Sequence, residues 1–393
     1  MKLFVKKKAR GLAKGLPFLA ACLIWLLCVP AFAGDTLALQ VDDNAPTTLT
    51  VENYQGHSLV PVKNFSKIIG AGLTRGEDGS VTLSKNGILL TFYKNSAQVF
   101  KNGANVLLPI ATRVQNDKLY VPLRTTCDLL ELPISWDAAL GRVILKNKET
   151  RGGKTAEDII LESSKVMDGL VSYRFDSSSQ MSTRVNDGQP ATVRLNMTEW
   201  VRLDPFAIKI RQVTEDAVLE TYVTDTQLYT RTNEGAWISE GVMTDIQAFS
   251  RNLDSNSDPK MALERIKTYG VAYSFNDDLV QDGKRYYVIN ACMGAESFRS
   301  LIQSTEFLLT DSEEKAELDQ FMRNSSFEMY YTIYINQVSM TQEIMTYDME
   351  ISAWPEQDQV IYLNGSGKST FSGNALFEEP LMLESSVPAE STD

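Results

Sequence analysis

Two stretches 61 residues apart are written to one pattern: Leu59, Val60, Pro61, Val62, Lys63 returns as Tyr120, Val121, Pro122, Leu123, Arg124. The register persists, with Ile68 and Ile69 falling on Leu129 and Leu130 and Leu73 and Thr74 on Ile134 and Ser135. After one inserted residue, Val81, Thr82, Leu83 matches Val143, Ile144, Leu145. In each copy an apolar run meets a proline, whose fixed φ suits a first helical turn and whose missing N–H is no loss there. Each copy therefore predicts a strand, a short helix and then a hairpin. Repetition of one supersecondary unit describes a module that binds or props, rather than a scaffold for catalysis.

The first 33 residues read as an export signal. Lys6, Lys7, Lys8, Arg10 and Lys14 precede an apolar stretch from Leu16 to Val29, and Ala31, Phe32, Ala33 supply a small-x-small cleavage site ahead of Gly34. Leu19, Ala20, Ala21, Cys22 offers a second reading, lipidation at Cys22, and a retained membrane anchor is a third. Cleavage after Ala33 removes six basic residues and no acid, taking the formal charge from −12 to −18. Such a field repels phosphate backbones, so nucleic acid is not expected as a partner. Cys127 and Cys292 fall in different halves, either as two buried thiols or as one bridge between them. His57 is the single histidine. Histidine triads, histidine-held metals and imidazole proton shuttles are therefore set aside, and no cofactor, metal site or catalytic residue is expected.

The organisation along the chain follows from changes of pattern. Residues 34–145 hold the repeat and residues 146–154 form a short polar linker. At Thr155 a helix begins, with Thr155 and Asp158 placed as a capping box and Gly169 near its end. From Ser172 the chain alternates apolar and polar residues as strands do, interrupted by helical patterns at 259–269, 296–308 and 311–324. Long strands follow at 327–337 and 341–354, then a last strand pair reaching Phe371, and residues 382–393 form a polar tail.

The repeat half resembles the copper amine oxidase N-terminal-like domain, a stalk-like module common in exported proteins of Gram-positive bacteria. The match covers about residues 36–146. It is carried by Val121, Pro122, Leu123, Arg124, a helix, Trp136 and Asp137, then Arg142 and Val143. The first copy departs from it, with Arg75 and Gly76 in place of Trp136 and Asp137, so its hairpin is less securely drawn. The family's copper chemistry belongs to a catalytic domain absent here, and no metal is implied. The second half, about 155–381, resembles LolA/LppX-type lipoprotein and lipid carrier domains through an uncharacterised exported family. The matching features are Ser172 and Tyr173 after the helix, the Leu203, Asp204, Pro205, Phe206 turn, the Tyr229 to Trp237 hairpin and Glu378, Glu379, Pro380 at the close. The expected fold class is therefore α+β: a duplicated strand-helix-hairpin stalk module, then a curved, incompletely closed antiparallel β half-barrel with helices in its mouth. The resemblance implies a hydrophobic ligand such as a lipid, acyl chain or lipoprotein segment, with cell wall or envelope proteins as further partners.

The residues themselves nominate one ligand-binding face. Phe327, Met329, Tyr331, Ile333 and Ile335 share a side of one strand, and Met345, Tyr347, Met349 and Ile351 share a side of the next. Methionine is flexible and polarizable, so such a face adapts to ligands of variable shape; the other reading is ordinary packing beneath helices. Other signals have plainer explanations. Asn364 to Thr370 imitates a phosphate loop but puts Tyr362 where that loop needs glycine, and it reads as a hairpin turn. Ser257, Asp258, Pro259, Lys260 reads as a helix start rather than a Ser-x-x-Lys nucleophile. Lys63 and Arg124 are expected to lie over their helix starts and pair with a carboxylate such as Asp137. Trp136 and Tyr120 are expected as hairpin core. The expectation is an exported, non-enzymatic envelope protein that holds a hydrophobic ligand. Its rivals are a scaffold without ligand and a hydrolase working with carboxylates alone.

Overall fold

The computed structural model describes residues 36–379, apart from residues 45, 116, 187, 216, 225, 243–270, 294–324 and 357–358. The leader, the three helical segments expected between 259 and 324, the Ser257 to Lys260 motif and the tail lie outside the described residues. The first half runs β1 (Thr36–Val41), β2 (Thr47–Thr50), β3 (Glu52–Tyr54), β4 (His57–Pro61), α1 (Val62–Ile69), β5 (Gly72–Arg75), β6 (Val81–Lys85) and β7 (Ile88–Phe92). It continues with β8 (Gln98–Lys101), β9 (Ala104–Leu107), β10 (Arg113–Gln115), β11 (Lys118–Pro122), α2 (Leu123–Leu129), β12 (Ile134–Asp137) and β13 (Arg142–Leu145). These strands form three sheets, ordered β12-β13-β1-β2, β10-β11-β4-β3 and β5-β6-β7-β8-β9.

Both stretches of the repeat take the order strand, helix, hairpin. Pro61 and Pro122 stand at the two N-caps with extended backbone. β4 and β11 pair antiparallel with Val60 opposite Val121. Those two valines occupy equivalent positions in the sequence repeat. The hairpins then diverge, since β5–β6 continues into a five-stranded sheet while β13 takes β1 as a parallel neighbour. Trp136 corrects its expectation as hairpin core: it is 51% exposed, whereas Tyr120 is buried.

The second half opens with α3 (Ala156–Asp168). Its capping box is formed, with the Asp158 N–H donating to Thr155 Oγ1 at 3.2 Å and the Thr155 N–H donating to Asp158 Oδ2 at 2.9 Å. There follow β14 (Ser172–Val185), β15 (Ala191–Leu203), β16 (Phe206–Val213), β17 (Val218–Thr224), β18 (Gln227–Thr232) and β19 (Ile238–Val242). The last are β20 (Ala272–Phe275), β21 (Leu279–Gln281), β22 (Lys284–Met293), β23 (Ser325–Asn336), β24 (Gln342–Glu356) and β25 (Gln359–Gly373). All twelve join one open sheet in the order β19-β18-β17-β16-β15-β14-β25-β24-β23-β22-β20, with β21 pairing β22 off that path. The fold is mostly β with three helices among the described residues, an α+β arrangement.

A second expectation is overturned in β25. Asn364 to Thr370 is no hairpin turn; it lies in the middle of β25, a single 15-residue strand laddered to β14 on one side and β24 on the other. Gly365 and Gly367 share a face of that strand. A Cβ on Gly367 would stand 2.5 Å from the Tyr347 ring, and one on Gly365 would stand 3.0 Å from the Met349 methyl. The glycines make room for neighbouring side chains to lie across the strand, which is why a turn-like composition occurs in a ladder.

The first half docks on the polar face of β20, β22 and β23. Ala272, Cys292 and Tyr330 join the buried cluster of Phe65, Ile68 and Ile69, so one apolar core crosses the boundary. The carbonyl of Lys67, in the last turn of α1, accepts from Asn290 Nδ2 at 3.3 Å and Ser274 Oγ at 3.5 Å; helix-end carbonyls need such partners. Buried Glu328 accepts from Thr50 Oγ1 at 2.9 Å, Tyr330 OH at 3.1 Å and Asn64 Nδ2. Lys118 pairs with Glu350, Lys63 lies 3.6 Å from Glu350 and 3.7 Å from Asp348, and Lys67 lies 3.5 Å from Asp348. Lys63 thus reaches across to the second half, correcting the expected local pairing. Asp137 instead accepts from the N–H groups of Ala139 and Leu140 in its own turn, and Arg124 is exposed.

The left-handed residue after each helix tells the same story. Gly70 (φ 67°) and Glu131 (φ 61°) are equivalent in the repeat, but only Gly70 faces the second half. A Cβ there would stand 2.0 Å from the Phe275 carbonyl oxygen, which also accepts from Lys85 Nζ at 3.1 Å. Gly70→Ala is therefore expected to destabilise the docked chain by more than about 1 kcal/mol through φ alone, while Glu131→Ala changes little; paired thermal melts measure the difference.

Burial raises the Glu328 carboxyl above its ordinary 4.5, with Lys118 opposing and Glu350 adding to the shift. The folded state thus holds this proton to higher pH than the unfolded chain does. Its contribution is complete below about 4.5 and is lost as pH climbs through the folded value. Glu328→Gln cannot titrate, so its melting temperature is expected to gain on that of the wild type as pH rises from about 4.5 to 7. A constant difference across that range would show that Glu328 does not titrate with folding.

Candidate ligand-binding site

Alternation along each strand sorts the twelve-stranded sheet into two unlike faces. On one, the eight nominated residues form four direct cross-strand pairs between β23 and β24: Phe327 with Ile351, Met329 with Met349, Tyr331 with Tyr347 and Ile333 with Met345. The same face continues over β22 through Met293, Ala291 and Ile289, and over β20 through Tyr273 and Phe275. In the other direction it crosses β25 at Gly365 and Gly367 to Met181 on β14 and Met197 on β15. Sequence reasoning missed Met181, Met197 and Met293. Met181 stands among serines and threonines, Met197 lies in an alternating strand, and that both share this face shows only once the ladder register is known.

This face is neither uniformly filled nor uniformly bare. Phe327 and Ile351 are buried with Ala353 and Leu363, and Met329, Met349, Met181 and Met293 pack half-buried around them. At the β20 edge, α3 lays Ala156, Ile159 and Ile160 on Tyr273, Phe275, Ile289 and Ile335. Tyr331 donates its hydroxyl to Met329 Sδ at 3.1 Å, and burial pushes its phenol up to about 12. Between the two clusters, Ile333, Met345 and Tyr347 are half-buried. There the Tyr347 ring spreads over Gly367.

The opposite face is polar. An open groove of about 730 Å³ lies against it, lined by Ser178, Gln180, Asn196, Ser366 and Thr346 with Arg194, Lys368 and Asp348. Trp200 belongs to this side, with Arg174 and Lys209 over its ring at 5.2 and 5.3 Å. Cys127 and Cys292 are both free and buried. Burial pushes the Cys127 thiol up to about 12 and raises that of Cys292 further, which makes both poor nucleophiles. No group of three or more metal-ligating side chains occurs among the described residues, nor does any described helix have the length and apolarity to cross a membrane.

Family models match both halves of the chain. Residues 40–145 match the copper amine oxidase N-terminal domain, and residues 155–375 match a family of unknown function, DUF6612. No curated protein matches the chain. Among solved structures it is similar to lipoprotein LppX of Mycobacterium tuberculosis, at 17% identity over 57% of this chain and 97% of that one, with a TM-score of 0.29. LprF from Mycobacterium bovis aligns at 14% identity over 57% and 95%, with a TM-score of 0.29. A LolA superfamily protein from Nitrosomonas europaea aligns at 10% identity over 58% and 96%, with a TM-score of 0.17. Because the match at 155–375 takes in more than half of the chain, the protein belongs to the DUF6612 family of unknown function.

Proposed function

We propose that this is an exported, non-catalytic protein of the cell envelope whose second half holds a hydrophobic ligand such as a lipid, an acyl chain or a lipoprotein segment. The single observation that carries the reading is the methionine-rich sheet face, where Met181, Met197, Met293, Met329, Met345 and Met349 surround Tyr331 and Tyr347. Thioethers and rings give a surface that re-packs around chains of different shape. A twisted open sheet of this many strands tends to curl, and in this reading it bends around that face as a half-barrel. Residues 1–33 act as the export signal, 34–145 form the wall- or partner-facing module, and 155–381 form the carrier domain.

The second reading, a scaffold without ligand, draws on the buried quartet of Phe327, Ile351, Ala353 and Leu363. Native mass spectrometry of the chain purified from its own host, followed by lipid extraction, separates the two. The carrier reading expects a co-purifying amphiphile that Met345→Lys weakens by about tenfold or more, since it sets a charge against the buried chain. A ligand-free wild type that also fails to take up added 1-dodecanol leaves the scaffold.

A further inference from the structure

Among the described residues the apolar face has one charged interruption. Glu199 on β15 stands directly between Phe175 on β14 and Ile210 on β16, with Met197 and Val201 as its same-face neighbours along the strand. Phe175 belongs to a three-ring cluster with Phe371 and Tyr173, whose centroids lie 5.3, 5.8 and 5.4 Å apart. Glu199 has no hydrogen-bonding or ionic partner among the described residues, and burial alone raises its carboxyl above the ordinary range. Every other buried acid described above is answered; Glu328, for instance, has three donors. An unanswered carboxylate in an apolar setting is costly, and proteins keep such groups where something outside the fold completes them. Glu199 remains partly accessible, so an incoming group can reach it.

Resting on the carrier reading above, we propose that this corner of the face receives the cationic nitrogen of an amphiphile. The ammonium pairs with Glu199 against the rings of Phe175, Phe371 and Tyr173, and the alkyl chain runs toward Met345. Carboxylate and ring faces are both attractive to a cation and hostile to an anionic head. A metal ion would want several ligating side chains, and no such group stands there among the described residues. Met345 lies three strands from Glu199 and two residues along, roughly 16 Å away, across the small side chains of Ser177 and Ser369, which hydrogen-bond to each other at 2.7 Å.

Titration calorimetry with dodecylamine, 1-dodecanol and dodecanoate, each below its micellar concentration, tests this on wild type and Glu199→Gln. In the wild type the amine should bind about tenfold more tightly than the alcohol, with the carboxylate weakest. Glu199→Gln should bring amine and alcohol together while leaving alcohol affinity in place. Should that variant fail to fold, the wild-type preference supplies the same test, because it should fade as acid protonates Glu199. Equal binding of all three heads, or a preference that survives in Glu199→Gln, overturns this inference and leaves the carrier reading standing. Failure of all three to bind overturns both.

Discussion

Everything in the second half depends on the two-residue period of its strands. Because β14, β15, β22, β23, β24 and β25 are laddered in register, a residue's parity decides whether it meets the apolar or the polar side. Phe327, Met329, Tyr331 and Ile333 fall on one side, and Glu328, Tyr330 and Thr332 between them fall on the other. A slip of one residue between β23 and β24 would put Glu350 among the methionines and Met349 against the docked lysines. The sheet thus does two jobs with one set of strands, presenting an oily surface on one side and a footing for the first half on the other.

That footing sets the two stretches of the repeat in different surroundings. Lys63, Asn64, Lys67 and Gly70 of the first stretch all touch the second half; Lys63 keeps its charge type in Arg124, whereas Asn64, Lys67 and Gly70 have lost their likeness to Thr125, Asp128 and Glu131. The first set is answered by Asp348, Glu350, Glu328 and the carbonyl of Phe275. In the second copy Arg124, Asp128 and Glu131 are exposed. Clustered acids on β23 and β24 would repel one another in isolation, and Lys63, Lys67 and Lys118 neutralise them on docking. The buried acid of this boundary is Glu328, and losing one of its donors Thr50, Asn64 or Tyr330 would leave it short of a partner in a dry site.

Much of this was legible in the residues. The repeat located β4, β11 and both helices, the capping box located α3, and alternation located the eight residues that became four cross-strand pairs. What escaped did so for physical reasons. Asn364 to Thr370 has the composition of a turn, and only the ring of Tyr347 on the next strand shows why glycine belongs in a ladder there. Lys63 finds its partner nearly three hundred residues away, beyond the reach of any local pattern. Met181 sits in a hydroxyl-rich strand, the face it shares with Met197 is decided by register, and Glu199 looks ordinary until its neighbours prove to be Phe175 and Ile210.

The central claim is that the apolar face takes up a ligand while the polar groove on the opposite face stays in water. The buried native thiols Cys127 and Cys292 leave an introduced cysteine open to selective labelling with an environment-sensitive dye. With the dye on Met349→Cys, addition of 1-dodecanol should shift emission to the blue; on Lys368→Cys, which faces the polar groove, emission should stay put. A shift at residue 368 alone, or at neither position, would contradict the account.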